Sequence, residues 1–123
     1  MEYSDSLKKN RDFQQVYRKG TSAASRQFVM YVLENGTQNN RLGISVSKKV
    51  GNSVVRHRVT RLVREGYRLQ EQQFRRGWDI VMIARAPAAQ CTQEEVKENL
   101  RYLGRKLHIR EAVGNEKNSD QGN

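Results

Sequence analysis

Several features that would define a protein class are missing from this chain of 123 residues. It contains a single cysteine, Cys91, so no disulfide can form within it. Its unbroken apolar runs, such as residues 80–84, are far too short to cross a membrane. The first ten residues hold no apolar run, which argues against a secretory signal. We therefore expect a cytoplasmic protein in which Cys91 is a bystander rather than a reactive thiol.

Acidic residues are scarce beside basic ones. The chain has 23 lysines and arginines against 13 aspartates and glutamates, a formal net charge of +10. Such an excess indicates a polyanionic partner, either nucleic acid or an anionic membrane surface. The length and a hydrophobic fraction of 36% suit one domain with a modest core. We expect that domain to span residues 1–110, and we expect residues 111–123 to form a disordered tail, because they have almost nothing apolar to bury.

The spacing of apolar residues predicts three helices and three long strands. Helical spacing marks residues 10–20, residues 53–70 and a segment that opens at Thr92. Strand patterns mark residues 26–34, 41–49 and 77–87. Asn10 or Asp12 can cap the first helix, and Thr92 with Glu95 has the spacing of a capping box. The order α-β-β-α-β-α predicts an α+β sandwich, in which helices pack on a mixed sheet of about four strands.

The second helix carries a concentration of positive charge. Five arginines and His57 lie between Arg56 and Arg68, with Glu65 as the one carboxylate among them. On a helical wheel, the apolar residues share one arc: Val59, Leu62, Val63, Gly66 and Leu69. The basic residues on the opposite side are His57, Arg61, Arg64 and Arg68, with Arg56 and Arg58 at the flanks.

A solvated surface is the ordinary explanation for a run of charge. A solvated helix face, however, usually mixes signs to form ion pairs, and only Glu65 could do so here. Arginine binds phosphate through two parallel hydrogen bonds, which favours a polyanion-binding stripe. Nucleic acid is preferred to a membrane, because the apolar face is needed for the core and carries no interfacial tryptophan.

The stretch GISVSKKVGNSVVRHRVTRLVRE, residues 43–65, resembles the signature of the protein subunit of bacterial ribonuclease P. That family joins a Gly-x-Ser-Val-Ser-Lys-Lys strand and a Gly-Asn pair to an arginine-rich helix with an Arg-Asn-Arg core. The stretches DFQQVYRKG, RQFVMYVL and DIVMIARAPA resemble the family's first helix, first long strand and later strand. The resemblance covers about residues 5–108 in the same order.

The resemblance implies both a fold and a function. The fold is a ribosomal-protein-like α/β sandwich with a left-handed crossover through the arginine helix, whereas the general handedness rule predicts a right-handed one. The function is to join a large catalytic RNA, ribonuclease P RNA, which removes the 5′ leader from precursor tRNA. The RNA performs the hydrolysis with Mg²⁺ that it mainly holds itself. No membrane and no obligate protein partner are implied.

The resemblance also implies two sets of binding residues and no catalytic or metal-binding residue. The set that faces the catalytic RNA is Arg58, Arg61, Arg64 and Arg68. The set that lines the leader cleft is Phe13, Tyr17, Tyr31, Ser45, Ser47, Lys48, Arg56 and His57. The sequence agrees with the absence of a nuclease centre on the protein, since it has no carboxylate cluster and no Cys/His set at ligand spacing.

Elementary chemistry is compatible with such a cleft. Unpaired RNA is held by aromatic stacking beside a basic groove. Alternation along the second strand turns Gly43, Ser45 and Ser47 to one side, where we expect a flat surface for RNA. Taken alone, each of the three aromatic residues is equally well explained as core.

Two positions depart from the family pattern, and two other functions stay open. His57 stands where the family has the asparagine of Arg-Asn-Arg, and Thr60 stands where a lysine is common. Histidine can keep a hydrogen bond there, whereas Thr60 removes a charge. The alternatives to the ribonuclease P subunit are a ribosomal or other structural RNA-binding protein and a self-sufficient nuclease.

Overall fold

Five strands and three helices make up the protein in a computed structural model, which describes residues 1–111. The strands are β1 (Ser4–Ser6), β2 (Thr21–Ala24), β3 (Phe28–Glu34), β4 (Asn40–Ser45) and β5 (Trp78–Ala84). The helices are α1 (Asn10–Lys19), α2 (Ser53–Leu69) and α3 (Gln93–Lys106). Short 3-10 turns, Glu71–Gln73 and Ala86–Gln90, follow α2 and β5. Of the predicted tail of residues 111–123, only Glu111 is described, and its backbone N–H group donates to the Gln73 carbonyl oxygen at 2.8 Å. Residues 112–123 lie outside the described residues.

The strands form one mixed sheet in the order β1-β4-β5-β3-β2. β4 pairs in parallel with both β1 and β5, while β3 pairs antiparallel with β5 and β2. The predicted mixed α+β architecture is confirmed, with five strands instead of about four. The two strands that were not among the three predicted from the sequence, β1 and β2, are edge strands of three and four residues, too short to show a hydrophobic period. The parallel neighbours β4 and β5 are joined through α2, and the left hand of this crossover stays a prediction.

Helices cover the two faces of the sheet unequally. α2 and α3 pack together on one face, which we call the closed face, and α1 packs alone against β3 and β5 on the other, the open face. The main core lies under the closed face: Phe28, Met30, Val32, Val59, Val63, Ile80, Met82, Val96, Leu100 and Leu103. The open face has a smaller core of Leu7, Val16 and Val81, with partly buried residues around it. The strands alternate, so neighbouring residues belong to different cores.

The helix ends show which capping predictions hold. Thr92 and Glu95 form the predicted capping box, each side chain accepting the other's backbone N–H at 3.2 and 2.9 Å. The prediction that Asn10 or Asp12 caps α1 is wrong, since Lys9 precedes that helix without a side-chain cap. Asp12 instead forms an ion pair with Arg41 at 3.3 Å.

The buried side of α2 differs from its predicted arc at one end. Val59, Val63 and Gly66 are buried as expected, but Leu69 is 52% exposed. Tyr67 is buried instead, and its hydroxyl group forms hydrogen bonds with Ser4 Oγ at 2.8 Å and Asn40 Nδ2 at 3.0 Å. A buried tyrosine needs such partners, which sequence periodicity does not show.

The N-terminal strand is attached by a buried carboxylate that follows α2. Glu71 is 4% exposed, and its two carboxylate oxygens accept the backbone N–H groups of Glu2 and Tyr3 at 2.9 and 3.2 Å. The Tyr3 hydroxyl group donates to the Glu71 carbonyl oxygen at 2.6 Å. β1, which follows this attachment, pairs in parallel with β4, and Leu7 directly after it packs in the core of the open face.

Candidate nucleic-acid interface

Part of the open face is left uncovered by α1. Strand register places Ser45 beside Ile83 on β5, and Ile83 beside Val29 on β3. All three alternate with residues of the main core, so they face the side of α1. Each is only half buried, whereas Val81, two residues before Ile83, is fully buried by α1. We call Ser45, Ile83 and Val29 the open row.

Aromatic side chains form a wall along the open row. The rings of Tyr17 on α1 and Tyr31 on β3 meet edge to face, with centroids 5.1 Å apart, and the Phe13 ring lies 6.3 Å from that of Tyr17. Burial raises the pKa of the Tyr17 hydroxyl group, and a hydrogen bond with Ser45 partly offsets this rise. The structure thus brings together Tyr17, Tyr31 and Ser45 of the predicted leader cleft.

Phe13 and Gly43 close one end of this cleft. A Cβ atom on Gly43 would lie 2.7 Å from Phe13 Cζ and 3.1 Å from a methyl carbon of Leu7, so the ring fills the space above the glycine. The expectation that Gly43, Ser45 and Ser47 form one flat surface for RNA is therefore wrong at Gly43. The glycine serves close packing of Phe13, and the accessible surface begins at Ser45.

Basic residues follow the open row where β4 leads into α2. The predicted strand over residues 41–49 ends at Ser45, because Ser47 starts a turn in which its carbonyl oxygen accepts the Val50 N–H group at 3.0 Å. Lys48 is exposed in that turn. Arg56, in the first turns of α2, donates from Nε to the Gly51 carbonyl oxygen at 3.2 Å. Lys48, in the turn, and Arg56, in α2, thus follow Ser45 along the chain.

Sequence reasoning missed three residues of this surface: Val29, Ile83 and Arg85. Arg85 follows Ile83 by two residues, pairs with Gln27 through its backbone and is exposed. Its guanidinium group donates to the Ser25 carbonyl oxygen at 2.8 Å. Alternation within the predicted strand over residues 77–87 was the available signal, because it places Arg85 on the same side as Ile83.

The predicted RNA-facing arginines of α2 lie in three different environments. Arg61 and Arg64 are exposed, and their side chains make no hydrogen bond or ion pair within residues 1–111. Arg68 pairs with Glu65 through contacts of 3.0 and 2.5 Å, and this pairing lowers the pKa of the Glu65 carboxyl group. Arg58 is half buried and points toward the start of α3, where it donates to two backbone carbonyl groups.

Two substitutions relative to the family motif also find their places on α2. His57 is exposed, one turn before Arg61. The Thr60 hydroxyl group donates to the Arg56 carbonyl oxygen at 2.9 Å, so it is directed back along the helix. Thr60 therefore offers little to a phosphate group at that position.

Three further observations concern metal binding, a buried carboxylate and membrane spanning. Within the part of the chain that the structure describes, no group of three or more His, Cys, Asp or Glu side chains is arranged to hold a metal ion. Asp79 is 4% exposed, and its two carboxylate oxygens accept hydrogen bonds from Arg41 Nε at 2.9 Å and from Arg41 Nη2 at 2.6 Å. No helix among residues 1–111 is long and apolar enough to span a membrane.

Comparison with known proteins identifies relatives along almost the whole domain. The sequence model of the family described as Ribonuclease P matches residues 1–108. The Ribonuclease P protein component of Alkaliphilus metalliredigens is 46% identical over 109 residues, which cover 89% of this chain and 98% of that protein. That of Lachnoclostridium phytofermentans is 51% identical over 105 residues, covering 85% and 90%.

Solved structures agree with the sequence relatives. The RNase P protein of Staphylococcus aureus superposes with a TM-score of 0.78 at 40% identity, covering 87% of this chain and 96% of that chain. The RNase P protein from Thermotoga maritima superposes with a TM-score of 0.75 at 32% identity, covering 81% and 96%. The chain therefore belongs to the ribonuclease P family, as a protein component of that RNA–protein endoribonuclease.

Proposed function

We propose that the chain binds the catalytic RNA through the exposed arginines of α2 and the 5′ leader of precursor tRNA through the open row. The observation that carries this proposal is the open row itself: a half-buried, mainly apolar strip between tyrosine rings and a basic turn. A single strand of RNA needs an apolar or aromatic surface for its bases and cations for its phosphates. In this proposal the open row and the tyrosine rings supply the first, and Lys48, Arg56 and Arg85 supply the second. In this proposal Mg²⁺ belongs to the RNA subunit, and the reaction takes place in the cytoplasm.

The charge on α2 supports the catalytic-RNA part of the proposal. Arg61 and Arg64 have no partner within the described residues, on a protein of net charge +10. Phosphate contacts of this kind release counterions, so affinity falls with salt in proportion to the number of contacts. Arg68 is available to phosphate once its exposed pair with Glu65 opens, because exposed ion pairs contribute little stability.

Reconstitution with the catalytic RNA tests the proposal directly. Precursor tRNA is incubated at low Mg²⁺ with protein, with RNA and with both, and we expect efficient cleavage only with both. Arg61→Ala and Arg64→Ala should each weaken assembly and reduce the log–log salt slope by roughly 0.7–0.9. Lys106→Ala, on the exposed end of α3, is the matched control. Cleavage by the protein alone, or an unchanged slope in the double variant, would contradict the proposal.

Leader binding needs a separate measurement. Tyr31→Ala should weaken binding of precursor tRNA to the assembled enzyme by about 1–3 kcal/mol, if a base stacks on the ring. Mature tRNA, which lacks the leader, should bind as before. Tyr102→Ala is the control, since Tyr102 is an exposed tyrosine on α3, far from the open row in the fold. Equal losses for both RNAs would mean that Tyr31 is a packing residue only.

A further inference from the structure

Arg58 is the arginine of α2 whose guanidinium group contacts a distant part of the chain, whereas Arg56 donates to Gly51 just before the helix and Arg68 pairs with Glu65 within it. Nη1 donates to the Ala89 carbonyl oxygen at 3.2 Å, and Nη2 donates to the Cys91 carbonyl oxygen at 2.5 Å. Its side of α2 is the one turned toward α3, as shown two turns later at Gly66, where an added Cβ atom would lie 3.0 Å from Leu100 Cδ1. The guanidinium group that the family resemblance assigns to the RNA-facing set is therefore engaged with the protein's own backbone.

The two acceptors lie at the junction between β5 and α3. Ala89 belongs to the 3-10 turn Ala86–Gln90, and Cys91 directly precedes Thr92, the N-cap of α3. Carbonyl groups at the end of such a turn lack helical partners, and the planar fork of arginine can satisfy two at once. Cys91 is 1% exposed, so at this junction the fork replaces solvent as the donor.

The junction connects the two surfaces of the proposed function. It begins directly after β5, which carries Ile83 of the open row, and it ends at α3, against which α2 packs. If Arg58 turned outward to a phosphate group, the carbonyl groups of Ala89 and Cys91 would lose their donor. An unsatisfied buried acceptor is costly, which favours the inward position.

We infer that Arg58 is a positioning residue, which ties α2 to the β5–α3 junction and so sets where Arg61 and His57 stand relative to the open row. It does not contact RNA. This inference rests on the proposed function, in which α2 binds the catalytic RNA, and it assigns Arg58 a different role from the one that the family resemblance implies.

The test compares Arg58→Ala, Arg58→Lys and Arg61→Ala in two measurements. The first is affinity for the catalytic RNA as a function of salt. The second is the rate at which a thiol reagent labels Cys91, the only cysteine, in the folded protein. Both Arg58 variants should lower RNA affinity with the salt slope of the parent, and both should label at least about tenfold faster, as expected for losing hydrogen bonds to a charged donor. Lysine should not rescue, because a compact ammonium group cannot reproduce the fork.

Controls separate positioning from general destabilisation. Tyr67→Phe removes buried hydrogen bonds near the other end of α2, and it should leave both the RNA affinity and the local labelling of Cys91 unchanged. If the alanine variant does not fold, the parent protein still decides the question. Cys91 should stay at least as protected in the RNA complex as in the free protein.

Three outcomes would overturn the inference. The first is a salt dependence of RNA affinity that is reduced in Arg58→Ala as much as in Arg61→Ala, while Cys91 stays protected from labelling. That is the behaviour of a phosphate contact. The second is faster labelling without any loss of RNA affinity, which would make Arg58 purely structural. The third is faster labelling of the parent protein when RNA binds. Failure of the proposed function looks different, because Arg61→Ala would then change neither affinity nor slope.

Discussion

The two faces of the sheet show how one strand can serve both stability and function. On β5, Met82 faces α2 and α3 and is fully buried, while its neighbour Ile83 faces the side of α1 and is half buried. The sheet of five strands is about 19 Å wide, and one helix with its side chains covers about 10 Å. Two helices therefore close one face, and a single helix leaves a strip of the other accessible. The proposed leader site lies on that strip.

The comparison also separates the kinds of side chain that each face needs. The closed face holds mainly aliphatic residues together with the buried rings of Phe28, Tyr67 and Phe74, and the Tyr67 hydroxyl group has its hydrogen-bond partners inside the core. The wall of the open row consists of aromatic residues in partial contact with solvent. A change on the closed face should mainly cost stability, whereas a change on the open face should mainly cost RNA binding. Four predictions test this division, from the largest expected effect to the smallest.

The largest effect is expected for Met82→Ala on the closed face. Removing a fully buried methionine leaves a cavity between the sheet and its two helices, so the free energy of unfolding should fall by about 2–5 kcal/mol. Urea denaturation measures the loss. Leu69→Ala, an apolar residue on the exposed side of α2, should cost less than about 0.5 kcal/mol. Equal losses of unfolding free energy in the two variants would contradict the assignment of Met82 to the core and of Leu69 to the surface.

Glu71→Gln tests how the N-terminal segment before β1 is held, because the Glu71 carboxylate accepts the backbone N–H groups of Glu2 and Tyr3. Burial alone would raise the pKa of Glu71, but hydrogen bonds from Ser4 and from the N–H groups of Glu2 and Tyr3 outweigh it, so the pKa is lowered. A lowered pKa means that the stabilisation is present above the unfolded-state pKa and is lost as pH falls through the folded-state value.

The expected result is a loss of about 1.5–3 kcal/mol at neutral pH, the contribution of hydrogen bonds to a charged group. Denaturant titrations at neutral and acidic pH should show the difference between parent and variant shrinking as pH falls. A difference that stays constant with pH would show that the charge of Glu71 is not what holds β1.

Ile83→Ala sharpens the comparison on the strand where it began. The residue is half buried, so the variant should lose less stability than Met82→Ala. Binding of precursor tRNA to the assembled enzyme should weaken by about 1 kcal/mol, because apolar surface in the open row is removed. The same loss for mature tRNA, or a loss of stability as large as that of Met82→Ala, would place Ile83 in the core rather than in the site.

The smallest effect is expected for His57→Asn, which restores the family's asparagine. His57 is exposed on α2, and an amide group can donate the same kind of hydrogen bond to a base or a sugar. Affinity of the assembled enzyme for precursor tRNA between pH 6 and 8 should therefore be the same for variant and parent. A rise in affinity at low pH that appears only in the parent would show instead that a charged imidazole contacts phosphate.

Local rules in the sequence were enough to determine the elements. The period of apolar residues predicted α2 over residues 53–70, and it spans Ser53–Leu69. The capping box of Thr92 and Glu95 and the alternation of β4 also follow from contacts within a few residues. Such signals depend on backbone hydrogen bonds and on one buried side per element, so they are legible before any tertiary structure exists.

Tertiary structure decided which of these residues are free to act. The family resemblance grouped Arg58 with Arg61, and only the neighbouring junction shows that Arg58 donates to Ala89 and Cys91. Strand alternation grouped Gly43 with Ser45, and only the position of Phe13 shows that the space above Gly43 is filled. Sequence period tells which way a side chain points, whereas the partner it meets comes from residues far along the chain, packed there by the fold.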